Sequence, residues 1–244
     1  MKTMIAGAVP AERSRPILEV QLVRWSTFHA ALLATAGIAA ALGASMALVS
    51  TAAALSFATL VFVGRAHWTP AGAFGAANVV TFLRIAGILA LPALPAGPVL
   101  AAAALLWFAL DGIDGWIARR LQLAGPFGAF ADKEGDALLV LVLCLLLYRL
   151  PDGPGAWILV PGMLRYAFVL FVAVAKPPED QERRSTLGVW IAGFTMAALV
   201  VAFAAYPTYF RYARWLLAAA TLVLCLSFAV SLYRIYRPRP GGAN

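Results

Sequence analysis

Residues 111–136 read DGIDGWIARRLQLAGPFGAFADKEGD and concentrate the charge of a chain that is otherwise apolar, holding five of its eleven acidic residues. Four of the carboxylates form two pairs, one spaced by three residues and the other by four: Asp111 with Asp114, and Asp132 with Asp136. Both spacings place two side chains on one face of a helix. A Gly-Pro step at residues 125–126 separates the pairs and favours a turn. The pattern therefore predicts two helices that fold back and bring four carboxylates together.

Carboxylates held close together repel one another unless protons or cations offset their charge. Hard oxygen ligands of this kind favour Mg²⁺, Mn²⁺ or Ca²⁺. Gly115 and Gly128 flank the two pairs and leave room for a close approach of backbone or ligand. Arg119 follows Gly115 by one helical turn, where it is placed to contact a phosphate. The segment predicts a divalent metal site rather than a cluster of solvated loop charges.

The whole chain has the composition of an integral membrane protein. Its 244 residues are 63% hydrophobic and 12% charged, and the mean hydropathy is +0.85. Apolar runs of about 20 residues, the length that crosses a bilayer, recur along it. The net charge of +8 does not indicate a nucleic-acid partner, because the basic residues collect at the ends of the apolar runs. Cys144 and Cys225 lie inside such runs and are expected to be small core residues.

The apolar runs predict eight transmembrane helices. An interfacial helix is expected over residues 14–27, in an N-terminal segment 1–27. Residues 28–64 are too long for one span and predict a hairpin that turns near residues 43–45, with a single very long helix as the alternative. A linker over 65–77 leads to a membrane domain over 78–236 and a tail over 237–244. The six spans of that domain are expected at 78–92, 99–121, 127–150, 156–175, 187–206 and 212–236.

The positions of Lys and Arg predict the orientation in the membrane, since basic residues favour the cytoplasmic side. If the carboxylates face the cytoplasm, only Arg149, Arg211 and Arg214 fall on the opposite side. This distribution favours the N-terminal hairpin over a single span. We therefore expect a multi-pass protein of the inner or plasma membrane with both termini and the carboxylates on the cytoplasmic side.

The pattern D-x2-D-G-x2-A-R-x8-G-x3-D-x3-D in residues 111–136 resembles the signature of the CDP-alcohol phosphatidyltransferases. The matching positions are Asp111, Asp114, Gly115, Ala118, Arg119, Gly128, Asp132 and Asp136. The resemblance implies an all-α membrane enzyme with a six-helix core, here preceded by a two-helix hairpin. It implies a homodimer in the lipid bilayer that uses two divalent ions, Mg²⁺ or Mn²⁺. Such an enzyme of phospholipid biosynthesis transfers a phosphatidyl group from CDP-diacylglycerol to a small polar alcohol and releases CMP.

The resemblance also implies roles for individual residues. Asp111, Asp114 and Asp132 would be metal ligands, and Asp136 would be both a ligand and the general base for the acceptor hydroxyl. The residues expected to border the CDP group are Gly115, Ala118, Arg119, Gly128, Asn78 and Thr81, the last two belonging to an N-x-x-T-x-x-R run that opens the first core helix.

The acceptor is expected to meet the remaining basic residues near the same membrane face: Arg84, Lys133, Arg165, Arg183 and Arg184. A charged side chain inside a membrane is costly and is usually functional. Arg84 has the alternative of snorkelling to the interface. Arg183 and Arg184 have the alternative of contacting anionic headgroups. The sequence Asp132-Lys133-Glu134-Gly135-Asp136 departs from the D-P-x-A-D-K of phosphatidylglycerophosphate synthases, which leaves glycerol phosphate, inositol phosphate, inositol and serine all open as acceptors.

Two other functions remain as alternatives. A CDP-choline or CDP-ethanolamine phosphotransferase acting on diacylglycerol would share the same motif, because the motif contacts only CDP and metal. A metal- or proton-coupled transporter would also use membrane carboxylates. A transporter is expected to carry polar groups across the midplane and to show inverted repeats, whereas here the four Asp lie at one face.

Overall fold

The structure, a computed structural model, describes residues 11–65, 67–69, 72–175 and 186–236. Over these residues the chain forms eight α-helices and no β-strand. Their bounds are α1 Ala11–Ala41, α2 Met46–Val63, α3 Ala76–Ala90, α4 Pro98–Arg120, α5 Pro126–Tyr148, α6 Leu159–Ala175, α7 Thr186–Ala205 and α8 Phe210–Tyr236. Single 3₁₀ turns at Leu91–Ala93 and Ala156–Ile158 follow α3 and precede α6. The prediction of an all-α membrane protein is confirmed.

Six of the described helical segments are long and apolar enough to cross a membrane. They comprise α2, α3 with its 3₁₀ turn, α4, α6 with its 3₁₀ turn, α7 and α8. Helix α5 is not among them, because four charged residues lie between positions 132 and 136. The expected total of eight spans also needs α1 and α5, and it stays a prediction.

The N-terminal hairpin turns where the sequence predicts. Helix α1 ends at Ala41 and α2 begins at Met46. Gly43 has φ 109°, a left-handed conformation that favours glycine, and the Ser45 hydroxyl accepts a hydrogen bond from the Ala47 amide at 3.2 Å. The alternative of a single very long helix is therefore wrong.

The interfacial helix expected over residues 14–27 is not a separate element. Helix α1 runs without a break from Ala11 to Ala41, so the boundary at residue 27 lies inside it. Leu22, Trp25 and Ser26 are buried in this first half. The charges of residues 14–27 suggested an element of its own, but the segment continues into the rest of α1 and buries one face in the bundle. Its position at the membrane interface stays a prediction.

Helix α5 is the centre of the bundle. Its second half is apolar on all sides, as expected for a helix surrounded by others. The residues of this half that are at most 1% exposed are Leu138, Leu139, Leu141, Val142, Leu143, Cys144, Leu145 and Leu147. Helices α1, α3 and α6 pack against α5. The carboxylates of α5 are thus carried by a helix that other helices surround.

Small residues let neighbouring helices approach closely. A side chain at Gly162 of α6 would meet the Cα atom of Leu141 at 3.1 Å. A side chain at Gly87 of α3 would overlap the indole ring of Trp107 on α4, with ring atoms 2.2–2.7 Å from the Cβ position. Contacts of this kind fix the spacing of the helices that carry the polar residues.

We expect Gly87→Val to destabilise the protein by about 1–3 kcal/mol, the usual cost of overpacking a core. The matched control is Gly193→Val on α7, where an added Cβ has nothing within 4 Å. Thermal unfolding of the two variants in detergent measures the difference. Equal midpoints would contradict the described α3–α4 packing.

Candidate active site

Three of the four carboxylates that the sequence predicts to meet are brought together by α4 and α5. Oxygens of Asp111, Asp132 and Asp136 all lie within 4.8 Å of one another. Their side chains are 31%, 33% and 45% exposed, so the cluster opens to the exterior on one side. The side chain of Asp114 lies outside the described residues, although its backbone belongs to α4.

Arg84 of α3 lies among these three carboxylates and is only 1% exposed. Its Nη1 atom donates to Asp111 and lies 3.1 Å from Asp136. Its Nη2 atom donates to the Asp132 carboxylate at 2.7 Å and to the Asp132 main-chain carbonyl at 3.3 Å. The rigid fork of the guanidinium suits such a bridging position. Arg84 therefore does not snorkel, and its expected contact with the acceptor stays a prediction.

The charges of this cluster fit a divalent cation. When all three carboxylates are ionised, they carry two more negative charges than the one guanidinium offsets, in a partly enclosed space. Carboxylate oxygens are the ligands that Mg²⁺ and Mn²⁺ prefer. The three described carboxylates are thus suited to hold such an ion, and α4 brings Asp114 one turn away from Asp111.

An open cleft of about 170 Å³ adjoins the carboxylates. It is lined by all six residues expected to border CDP, which are Asn78, Thr81, Gly115, Ala118, Arg119 and Gly128. Asp132 lines the same cleft, so the cleft and the carboxylate cluster are continuous. Three helices, α3, α4 and α5, contribute its walls.

Glycine residues shape the cleft, because they place no side chain in it. A Cβ at Gly128 would stand 2.9 Å from the Asn78 side-chain oxygen. Asn78 is fixed there, because its amide nitrogen donates to the carbonyls of Trp68 at 3.0 Å and Phe74 at 2.7 Å. A Cβ at Gly115 would lie 3.3 Å from the Arg119 guanidinium, which therefore lies across this glycine. Thr81 donates to Ala77 in its own helix.

The other expected acceptor residues are placed differently. Arg165 of α6 donates to Glu134 at 2.6 Å, and Glu134 is fully buried. Lys133 is half-buried beside Asp132 in the chain. Arg183 and Arg184 lie outside the described residues. The acceptor roles of these residues stay predictions.

Sequence reasoning missed the partners of Glu134. Ser26 of α1 donates to Glu134 at 2.8 Å, from a helix more than 100 residues away in the chain. The sequence indicated Glu134 only as an unusual residue between two site aspartates. Its offset of two residues from each does predict the opposite face of α5, but not which helix covers that face.

A sequence profile of the CDP-alcohol phosphatidyltransferase family matches residues 74–231, well over half of the chain. The chain belongs to this family. The match begins two residues before α3, so α1 and α2 lie outside it. No solved structure gave a significant match.

Three curated relatives resemble parts of the chain. A cardiolipin synthase (CMP-forming) of Oryza sativa subsp. japonica is 34% identical over 107 residues, covering 37% of this chain and 32% of the relative. A CDP-diacylglycerol–glycerol-3-phosphate 3-phosphatidyltransferase of Pseudomonas fluorescens is 41% identical over 54 residues, covering 22% and 27%. A chloroplastic/mitochondrial enzyme of the latter name from Arabidopsis thaliana is 28% identical over 139 residues, covering 51% and 46%. Each match thus spans less than half of the relative's own length.

We expect Arg84→Met to lower the thermal midpoint in EDTA, because three carboxylates lose their shared counter-ion. The cost should lie below the about 3–5 kcal/mol of a fully buried pair, since the three carboxylates are 31–45% exposed. Mg²⁺ should then raise the midpoint of the variant by more than that of the wild type. Thermal unfolding with EDTA and with Mg²⁺ measures both effects, with exposed Arg214→Met as control. Equal Mg²⁺ shifts in all three proteins would rule out this arrangement.

Proposed function

We propose that this protein is a metal-dependent phosphatidyltransferase of phospholipid biosynthesis. It would transfer a phosphatidyl group from CDP-diacylglycerol to a small polar alcohol and release CMP. One observation carries the proposal. The six residues expected to border CDP line a single cleft, and that cleft shares Asp132 with the carboxylate cluster.

Asp132 belongs to both the cleft and the carboxylate cluster, so a nucleotide in the cleft would lie next to the carboxylates. A cytidine diphosphate in the cleft would have its phosphates near the carboxylates, where the excess negative charge would repel it without a cation. Asp111, Asp132 and Asp136 would hold that cation together with Asp114. A bound Mg²⁺ or Mn²⁺, and more so the expected pair of ions, would neutralise the diphosphate and stabilise the charge that develops during transfer.

Asp136 is the candidate general base. It is the most exposed of the three described carboxylates, and its 3.1 Å contact with Arg84 is longer than that of Asp132. Its carboxylate would take the proton of the acceptor hydroxyl. The hydroxyl oxygen would then form a bond to the β-phosphorus of the donor, the bond from that phosphorus to the bridging oxygen would break, and CMP would leave.

Arg84 and Arg119 would act on the same chemistry from two sides. Arg84 holds Asp111 and Asp132 in place from the protein interior. Arg119 is exposed at the cleft, where it is placed to pair with a donor phosphate. The small residues Gly115, Ala118 and Gly128 would admit the nucleotide between the helices.

The names of the relatives favour CDP-diacylglycerol over a soluble CDP-alcohol as donor. Two of them are named for CDP-diacylglycerol and glycerol 3-phosphate, and the third is named as CMP-forming. Glycerol 3-phosphate is therefore the first acceptor to test, followed by inositol phosphate, inositol and serine.

We further propose that the site faces the cytoplasm from a multi-pass protein of the cell membrane, on the basis of the Lys and Arg distribution. A homodimer is proposed from the family resemblance. Mass measurement of the protein in nanodiscs, together with cysteine labelling at the carboxylate face, tests both statements.

The decisive experiment measures CMP release by the purified protein in detergent with CDP-diacylglycerol and Mg²⁺ or Mn²⁺. We expect release that depends on one alcohol of the panel. Asp136→Asn should lower its rate by about 10²-fold or more, because a general base is lost. The exposed Asp152→Asn, in the loop after α5, is the control and should keep the wild-type rate.

Two outcomes would contradict the proposal. Release only with CDP-choline or CDP-ethanolamine and diacylglycerol would assign the soluble-donor reaction instead. Absence of CMP release with every donor and acceptor, together with cation uptake into proteoliposomes, would favour a transporter.

Gly128→Ala should raise the KM for CDP-diacylglycerol about tenfold, about 1.4 kcal/mol of binding. The added methyl group would displace Asn78, which two hydrogen bonds hold in place. Gly112→Ala is the matched control, because nothing lies within 4 Å of its Cβ position. Steady-state kinetics measure the KM for CDP-diacylglycerol of the two variants. An unchanged KM for Gly128→Ala would mean that the nucleotide binds outside this cleft.

A further inference from the structure

Glu134 lies on the face of α5 opposite the carboxylate site. It stands two residues from Asp132 and two from Asp136, which turns it about 200° around the helix axis from each. Its side chain is 0% exposed, whereas the two aspartates are partly open. Helix α5 therefore carries acidic groups on two faces, and only one of those faces adjoins the cleft.

Two other helices, α1 and α6, donate hydrogen bonds to Glu134, and α2 is joined to α1 nearby. Ser26 of α1 and Arg165 of α6 both donate to its Oε1 atom, at 2.8 and 2.6 Å. His29, one turn beyond Ser26, pairs through Nδ1 with the Ser56 hydroxyl of α2 at 2.8 Å. We call these five residues the Glu134 network. All but Arg165 are less than 5% exposed, and Arg165 is 18% exposed.

This network is not explained by stability alone. Removing two charges from water costs several kcal/mol per ion, and well-packed apolar residues of the same volume are often as stable. The Glu134 Oε2 and Arg165 Nε atoms also have no hydrogen-bond partner among the described residues. Buried ion pairs of this kind are best known for fixing the register of packed helices.

The network joins the hairpin to the helix that carries the site. Helices α1 and α2 precede the family match at residues 74–231. Nevertheless α1 packs on α5 and α6, and a side chain at Gly37 would meet the Met163 methyl group at 2.5 Å. Ser26 reaches α5 midway between the two site aspartates. The hairpin is thus the outer support of the segment that carries Asp132 and Asp136.

The rotation of α5 about its own axis sets the positions of the Asp132 and Asp136 carboxylates. A rotation of about 20° moves a carboxylate that lies about 5 Å from the axis by well over 1 Å. Functional constellations need positions held within about 0.5 Å. Arg84 restrains the aspartates from the α3 side, and Glu134 is the polar restraint on the opposite side.

We propose that the hairpin fixes the rotation of α5 through the Glu134 network and so sets the cation affinity of the carboxylate site. Ser26, Glu134 and Arg165 are then positioning residues, and the function of the hairpin is to support the catalytic helix. The inference rests on the proposed function for its catalytic meaning. Its main readout, the binding of a cation, does not need the acceptor to be known.

The experiment measures the Mn²⁺ concentration that gives half of the maximal thermal stabilisation of the full-length protein in detergent, without substrate. Ser26→Ala and Glu134→Gln should each raise this concentration threefold or more. Ser26→Thr keeps the hydroxyl and should restore the wild-type value. Thr27→Ala is the matched control on the next residue of α1, because the Thr27 hydroxyl donates to the Val23 carbonyl of its own helix at 3.0 Å.

The double variant Glu134→Gln with Arg165→Gln keeps the test valid if a lone Glu134 change prevents folding, since it removes both charges together. If these variants have a lower thermal midpoint in EDTA but need the same Mn²⁺ concentration for half-maximal stabilisation, the network has only a structural role. That result would overturn the proposal. If the double variant has a higher KM for the acceptor but needs the same Mn²⁺ concentration for half-maximal stabilisation, Arg165 belongs to the acceptor site instead.

CMP release by the wild-type protein separates this inference from the proposed function. Wild-type protein that binds Mn²⁺ but releases no CMP would contradict the proposed reaction, while a raised Mn²⁺ midpoint in Ser26→Ala would still support the network. Wild-type protein that Mn²⁺ does not stabilise would overturn the inference.

Discussion

The site depends on one guanidinium that holds three mutually repelling carboxylates within hydrogen-bonding distance. Arg84 enters from α3, Asp111 from α4, and Asp132 and Asp136 from α5, so three helices must meet at one place. A guanidinium that is 1% exposed has to be paired, because an isolated charge in a protein interior is very costly. The excess of negative charge is equally hard to sustain without a cation. The arrangement is therefore stable as a unit and leaves a definite charge for a ligand to offset.

Close approach of the helices requires glycine at particular positions. Gly128 leaves room for Asn78, and Gly135 lets the Arg84 guanidinium reach α5, because a Cβ there would stand 3.3 Å from Nη2. Gly87 accepts the Trp107 ring between α3 and α4. The glycines thus serve two purposes. They let charged groups approach one another, and they leave the adjoining cleft open. The cleft and the carboxylates share Asp132, which relates nucleotide binding to the cation in the proposed reaction.

Helix α5 combines three environments along its length. One face of its first half carries the site aspartates, the opposite face carries buried Glu134, and its second half is apolar on every side. The apolar half holds the helix in the centre of the bundle. The two polar faces restrain its rotation, from α3 on one side and from α1 and α6 on the other. The hairpin outside the family match is in this way part of the support of the site.

The sequence by itself determined the local features of this protein. Apolar run lengths located the ends of the helices after the linker to within about three residues. The spacing of residues 111–136 predicted the carboxylate cluster and the family. Periodicity and motif spacing are properties of neighbouring residues, so they can be read from the sequence. Only the tertiary structure decided that α1 continues through residue 27, that Arg84 bridges the aspartates, and that Arg165 pairs with Glu134. Those contacts join separate helices, and the helix that covers a polar face is set by packing of the whole bundle rather than by local pattern.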